Sequence, residues 1–285
     1  MSRIKPQLVS PAQDFPEGPC IDQDGSLYWV NCQSGQISLL TPEGNLSCFL
    51  DTGGVPQAAN FTSTGDMYVC ESGLSAIIQV RPDATWETLA GACDGVDFRK
   101  PNDLTVDAYN NLYFTDPGFS KPDNLIGTVH FVTPDGRVSL IDDEMAFPNG
   151  IALNGDGSLL AVVETYPRCV WLYDVLEPGV VQNKRMLWQD EDEACLPDGM
   201  AYDADGNLWV AAFGTGTIAV VSPEGKTLRR YDAGGLKPTN CCFGGPELST
   251  LYITEVETNA VYALETGIRG QQLLADQRRA GTQAH

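Results

Sequence analysis

Along this chain short apolar runs alternate with polar turns at a steady beat. The runs are four to seven residues long, rich in Val, Ile, Tyr and Trp, and bounded by Asp-Gly, Pro-Glu-Gly or Pro-Asp-Gly. They lack the i, i+3, i+4, i+7 recurrence of an amphipathic helix and predict short strands joined by tight turns. The first unit shows the set: Cys20-Ile21, a turn at Asp24-Gly25, Leu27 to Val30, Gln36 to Leu40, a turn at Thr41-Pro42-Glu43-Gly44, and Leu46 to Leu50. Equivalent turns stand at Arg81-Pro82-Asp83, Thr133-Pro134-Asp135-Gly136 and Ser222-Pro223-Glu224-Gly225.

The unit repeats. Its fullest version, Leu196 to Val210, reads as a Pro-acid-Gly turn, a short strand, an Asp-Gly hairpin turn and a returning strand. The returning strand carries a landmark at Tyr28, Tyr68, Tyr113, Leu160, Trp209 and Tyr252, spaced by 40 to 49 residues. Six units of four short antiparallel strands, with a period in the forties, predict an all-β six-bladed propeller. The whole chain, 1–285, reads as one such domain with no linker. Ile4 to Val9 is expected to supply the outer strand of the last blade and so close the ring, because an open blade leaves exposed edges. The polar end, Arg278 to His285, is expected to be a frayed tail.

Eleven residues before each of the first five landmarks stand Glu17, Gln57, Asn102, Asn149 and Asp198, each directly after a proline. The equivalent stretch of the sixth unit is Pro238-Thr239-Asn240. Innermost strands of a propeller line its axis, so these positions converge on one small ring. Pro-Asp-Gly and Pro-Asn-Gly are also good turn formers, but a glutamate at the same register is not. Glu17, Asn102, Asn149 and Asp198 form an oxygen-only set, which suits Ca²⁺ and also admits Mg²⁺, Mn²⁺, Fe²⁺ or Zn²⁺. Waters would complete the shell, as a catalytic metal requires.

Loops that follow the returning strands share the mouth with that ring. Asn31, Glu71, Asp116 and Glu255, with Glu164 one position further along, make a second, outer collar expected to be mostly solvated rim. Glu71 and Asp116 are its candidate substrate contacts. The third unit carries an insertion, Asp116 to Leu125, which reads either as a lid beside the pocket or as plain loop variation.

Composition narrows the partners. With 38 acidic and 17 basic residues the net charge is −21, and no basic patch exists to meet nucleic acid or an anionic membrane. No apolar run approaches a bilayer span, and the N-terminus lacks a secretory signal, so a soluble cytoplasmic protein is expected. Nine cysteines without a CxxC pair fit reduced, buried thiols. The two histidines leave a Ser-His-Asp triad or a His-ligated zinc resting on His130 alone, which alternates with Val129 and Phe131 in a strand and reads as structural. Gly214-Thr215-Gly216 matches a loose dinucleotide pattern but joins two strands, so it is a false positive. Oligomeric state is not legible.

Phe15-Pro16-Glu17-Gly18-Pro19, Pro101-Asn102-Asp103-Leu104, Phe147-Pro148-Asn149-Gly150 and Leu196-Pro197-Asp198-Gly199 resemble, in order, motifs of the gluconolactonase / senescence marker protein / luciferin-regenerating enzyme family. Lys237 to Gly245 resembles that family's last-blade signature. The resemblance spans essentially the full chain and implies one divalent metal on the propeller axis. By that match Glu17, Asn149 and Asp198 are metal ligands, and Asn102 is a ligand or a substrate contact. It implies hydrolysis of sugar lactones, small molecules, to aldonic acids, with Asp198 placed to take or orient the water's proton. Asp103 competes for that role or for holding sugar hydroxyls, and Lys100 stands where relatives often have an Arg facing the substrate. The fold also hosts phosphotriesterase-like hydrolases, biosynthetic enzymes, and propellers in which an axial ion is only a staple.

Overall fold

The structure is a computed structural model and describes residues 4–272. Six four-stranded antiparallel sheets follow one another along the chain and form a six-bladed propeller. Blade one comprises Pro16–Ile21, Leu27–Asn31, Gln36–Leu40 and Leu46–Asp51, close to the segments its hydrophobic pattern predicts. In blade six, Pro238–Gly244, Thr250–Glu255 and Ala260–Glu265 are completed by Gln7–Ser10, with Gln7 opposite Ala263 and Leu8 opposite Tyr262. The expected closing strand is therefore present, with its start shifted from Ile4 to Gln7. The expected frayed tail lies outside the described residues.

Strands here are apolar on both faces because each blade is packed between two others. Along Leu27–Asn31, Tyr28 and Val30 point into a cluster shared with blade two, while Leu27 and Trp29 point into one shared with blade six. In blade two, Met67 and Val69 join the first of these clusters, and Tyr68 and Cys70 join the next one round. A period of two thus feeds two cores from one strand. Each of the six blade interfaces has its own wedge-shaped cluster. All nine cysteines are free, and seven of them are buried.

Two local features depart from the sequence reading. Pro16-Glu17-Gly18, Pro148-Asn149-Gly150 and Pro197-Asp198-Gly199 are not turns but lie inside the innermost strands, each at a break in register with the next strand. Such bulges re-aim side chains. An unforeseen two-residue hairpin, Ala92–Cys93 with Val96–Asp97, precedes the inner strand of blade three.

Threonine hydroxyls tie each of three blades to the inner strand of the next. Thr115 Oγ1 donates to the carbonyl of Asn149 at 2.8 Å, Thr165 Oγ1 to that of Pro197 at 2.8 Å, and Thr239 Oγ1 to that of Pro16 at 3.0 Å. The last of these bonds spans the closure between blades six and one. Deeper along the axis runs a cavity of about 160 Å³, lined by residues of all six inner strands, among them Cys20, Asn60, Asp103, Leu153, Tyr202 and Phe243. Its far end is crossed by the segment after the last strand, where Gln271 donates from Nε2 to the Leu153 carbonyl and from N to that of Tyr202.

Candidate active site at the hub

The glycines of two of these motifs are there for close approach. A Cβ on Gly150 would stand 2.3 Å from the carbonyl oxygen of Asp198, and one on Gly199 would stand 2.0 Å from Cγ of Asn240. Adjacent inner strands can therefore meet only where a side chain is missing. Phe15 and Phe147, immediately ahead of the prolines in blades one and four, adopt φ of 59° and 68°. A bulky residue in that region is uncommon, and here it marks the points where the chain turns into the hub.

What meets at the hub is a group of acids and amides. Glu17 is buried, and its carboxyl is pushed up to about 8 by burial and then by the nearby Asp103, against hydrogen bonds from Gly18 N–H and the side chains of Asn240 and Thr239. Asp103, also buried, is raised to about 7 by burial, although Leu104 N–H donates to its Oδ1 at 2.8 Å and Asn240 Nδ2 to its Oδ2 at 3.3 Å. Asp198 is half-buried and lies well above the usual carboxylate range, through desolvation and the charges of Glu17 and Asp103. A hydrogen bond from Asn149 works the other way on Asp198. Asn149 also donates from Nδ2 to Thr165 Oγ1 at 3.2 Å, so its side-chain oxygen is left as an acceptor.

The sequence reading therefore meets the structure unevenly. Glu17, Asn149 and Asp198 are brought together. Asp103 joins them as a third carboxylate and also walls the axial cavity behind. Asn102 stands at the expected register, half-buried, with its backbone N–H donating to the Thr115 carbonyl. Asn240, read only as the sixth-unit equivalent, touches two of the three acids.

The outer collar is different from the solvated rim expected. Glu71 and Asp116 are 0% and 1% exposed, and their oxygens accept main-chain N–H groups. Glu71 takes those of Val55 and Leu74, and Asp116 takes those of Arg99 at 2.8 Å and Lys100 at 2.6 Å. Glu164 likewise accepts from Ala146 N–H, and Glu255 from Lys237 N–H. Asn31 does the same for Asp14 N–H. These side chains latch the loops entering five of the six inner strands, and Glu71 and Asp116, expected as substrate contacts, act here as structural clasps. Their oxygens already have partners, and an inward turn would leave buried amides unsatisfied.

The inserted loop of blade three is pinned rather than loose. Ser120 is 1% exposed, and its Oγ accepts Phe147 N–H at 2.9 Å. Next to it, Phe119 is 68% exposed, with the Lys100 ammonium 4.3 Å from its ring centroid. His130 is structural as expected. It packs against the rings of Phe98 and Phe114, which also touch each other, and burial pulls its pKa down to about 4.

Three neighbouring carboxyls, two buried and one half-buried, need neutralising if ionised, and among the described residues no lysine or arginine is a principal influence on them. The surplus of negative oxygen donors fits a divalent cation rather than an anion or an organic cofactor. Although these three carboxylates neighbour one another, no three His, Cys, Asp or Glu side chains among the described residues are arranged to hold a metal ion by themselves. A cation at this place would thus have to take amide oxygens and waters besides carboxylates.

Fold and hub together define a class: six-bladed propellers whose axis presents oxygen donors at one mouth. The pattern of the SMP-30/Gluconolactonase/LRE-like region matches residues 15–257, and the chain belongs to that family. It is 29% identical over 313 aligned positions to diisopropyl-fluorophosphatase of Loligo vulgaris, covering 98% of this chain and 98% of that one. It is also 29% identical over 281 positions to gluconolactonase of Zymomonas mobilis, covering 87% of this chain and 78% of the relative. Among solved structures a gluconolactonase of Xanthomonas campestris superposes with a TM-score of 0.80 at 24% identity, over 90% of this chain and 88% of that one.

Proposed function

We propose that this lactonase-type hydrolase is divalent-metal-dependent and opens sugar lactones of the gluconolactone type to aldonic acids. The observation that carries the reading is the convergence of Glu17, Asp103 and Asp198 with only uncharged hydrogen-bond partners. Family membership supports the reaction class. Glu17, Asn149 and Asp198, with Asn102, are the residues that would hold the ion, and Ca²⁺ is the ion their oxygens suit best.

When bound, such an ion supplies the positive charge that polarises a lactone carbonyl. Asp198 is the least buried residue of the three acids, so it is the group assigned to orient the attacking water and receive its proton. Asp103 is held from both sides by Leu104 N–H and the Asn240 amide and sits behind, which assigns it a supporting role. Lys100, stacked on the exposed Phe119 ring, is the cation that would donate to lactone or hydroxyl oxygens. The full-length similarity to a fluorophosphatase favours a second reading on the same hub, hydrolysis at phosphorus, in which the polarised group is P=O.

Acid release from glucono-1,5-lactone in weak buffer tests the first reading, with and without chelator, in wild type and Asp198→Ala. Chelator-sensitive turnover lost in the variant is expected. Full activity in Asp198→Ala rejects the site. Inactivity on lactones with turnover of a fluorophosphate transfers the hub to the second reading.

A further inference from the structure

The sixth inner strand brings Asn240 to the hub, and every atom of its amide is placed. Cys241 N–H donates to Oδ1 at 2.8 Å, so the NH₂ end faces the acids. One donor bond reaches Asp103 Oδ2, and the side chain also bonds Glu17. The main-chain N–H is fixed by Thr254 Oγ1 at 3.1 Å, and the preceding Thr239 is tied to the strand of Glu17. The amide lies against Gly199, beside Asp198, in space that a methyl group would occupy.

We propose that Asn240 is a positioning residue that holds Glu17 and Asp103 apart in a fixed register, so that the hub keeps its negative charge for a cation. The inference rests on the reading of the hub as an ion site. A carboxamide offers two N–H donors and no charge, so it can bridge two carboxylates without neutralising them. A lysine or arginine here would compete with the cation, and an aspartate would remove both donors. Its own oxygen is turned to Cys241 N–H while its NH₂ faces the acids, which assigns Asn240 to support rather than to coordination.

The test is Ca²⁺ titration calorimetry on metal-free full-length protein, together with melting in the presence and absence of Ca²⁺, for wild type, Asn240→Leu and Asn240→Asp. Loss of an outer partner typically weakens metal binding by about 10–100-fold, and both variants are expected to fall in that range. Their Ca²⁺-induced rise in melting temperature should shrink accordingly. A merely structural role would lower melting equally with and without the ion and leave the affinity unchanged, which overturns the proposal. Tighter binding by Asn240→Asp makes residue 240 a direct ligand and overturns it too. Gly199→Ala, which pushes the same amide from the opposite side, should weaken binding if Asn240→Leu fails to fold; undiminished affinity in it counts against the proposal. If wild type takes up no divalent ion, this inference and the metal-dependent mechanism fall together; normal uptake by wild type and both variants sinks the inference alone.

Discussion

Two rings of acids surround the axis, and they are built from the same residue types in opposite ways. The outer ring, Glu71, Asp116, Glu164 and Glu255, is buried against main-chain N–H groups, so each carboxylate stabilises the loop it clasps. In the inner ring Glu17 and Asp103 are buried and Asp198 half-buried, but here the acids neighbour one another: desolvation raises the proton affinity of all three, the Asp103 charge raises that of Glu17, and both charges raise that of Asp198. Burial of an acid is therefore not what marks a site. What its lone pairs face is, and like charges facing each other store a demand for a cation.

The sharpest way to break this contrast is to remove one acid from each ring. Asp198→Ala should cut kcat by roughly a thousandfold, about 4 kcal/mol of barrier, while the metal-free protein melts no lower than wild type because repulsion is relieved. Glu255→Ala should do the reverse. The N–H groups of Lys237, Glu257 and Thr258 lose their acceptor, at a cost of about 1–3 kcal/mol for buried donors left unsatisfied, and urea unfolding should show it. Activity per folded molecule should stay within about twofold of wild type, since no bond to the hub is lost. A thousandfold activity loss in Glu255→Ala would erase the distinction.

A pH series sharpens the same comparison. Glu17 and Asp103 have folded-state pKa values of about 8 and about 7, above their ordinary values, so the folded state binds protons more tightly than the unfolded one. Their contribution is fully present below about pH 4 and is lost as pH rises through 7 and 8. The metal-free protein should therefore melt several degrees lower at pH 8.5 than at pH 5, on the order of 2–4 °C for each kcal/mol. Saturating Ca²⁺ should flatten the slope, because the ion rather than the proton offsets the charge. The smallest effect belongs to the mouth. Lys100→Met should raise KM for a lactone by less than about tenfold with kcat nearly unchanged, as expected for loss of one exposed hydrogen bond.

Much of the architecture was legible because its signals are periodic. The landmarks from Tyr28 to Tyr252 and the post-proline register of Glu17, Asn149 and Asp198 count off blades directly, and packing between blades enforces that count. Bond direction was not legible. Glu71 and Asp116 were read as facing the pocket, yet nothing in their register says that their oxygens bond main-chain amides. A signal did exist: each clasp joins residues 16 to 18 apart, as in Glu71 to Val55, Asp116 to Lys100 and Glu164 to Ala146. Asn240 was passed over because blade six lacks an acid at the post-proline position, and its value lies in donors that only the assembled hub reveals. The Pro-X-Gly segments looked like turns because glycine is usually read as a bend, whereas here it clears room for the next strand.

The bond from Thr239 to Pro16 reaches across 223 positions of chain, and the strand Gln7–Ser10 must wait for Ala260–Glu265 before its sheet exists. During synthesis, then, Gln7–Ser10 stays unpaired until Ala260–Glu265 has followed it out of the ribosome. Glu17 and Asn240 meet only in that final stitch. On the proposed reading an incompletely wound molecule would be blind to calcium, and uptake of the ion would report that the circle has been joined.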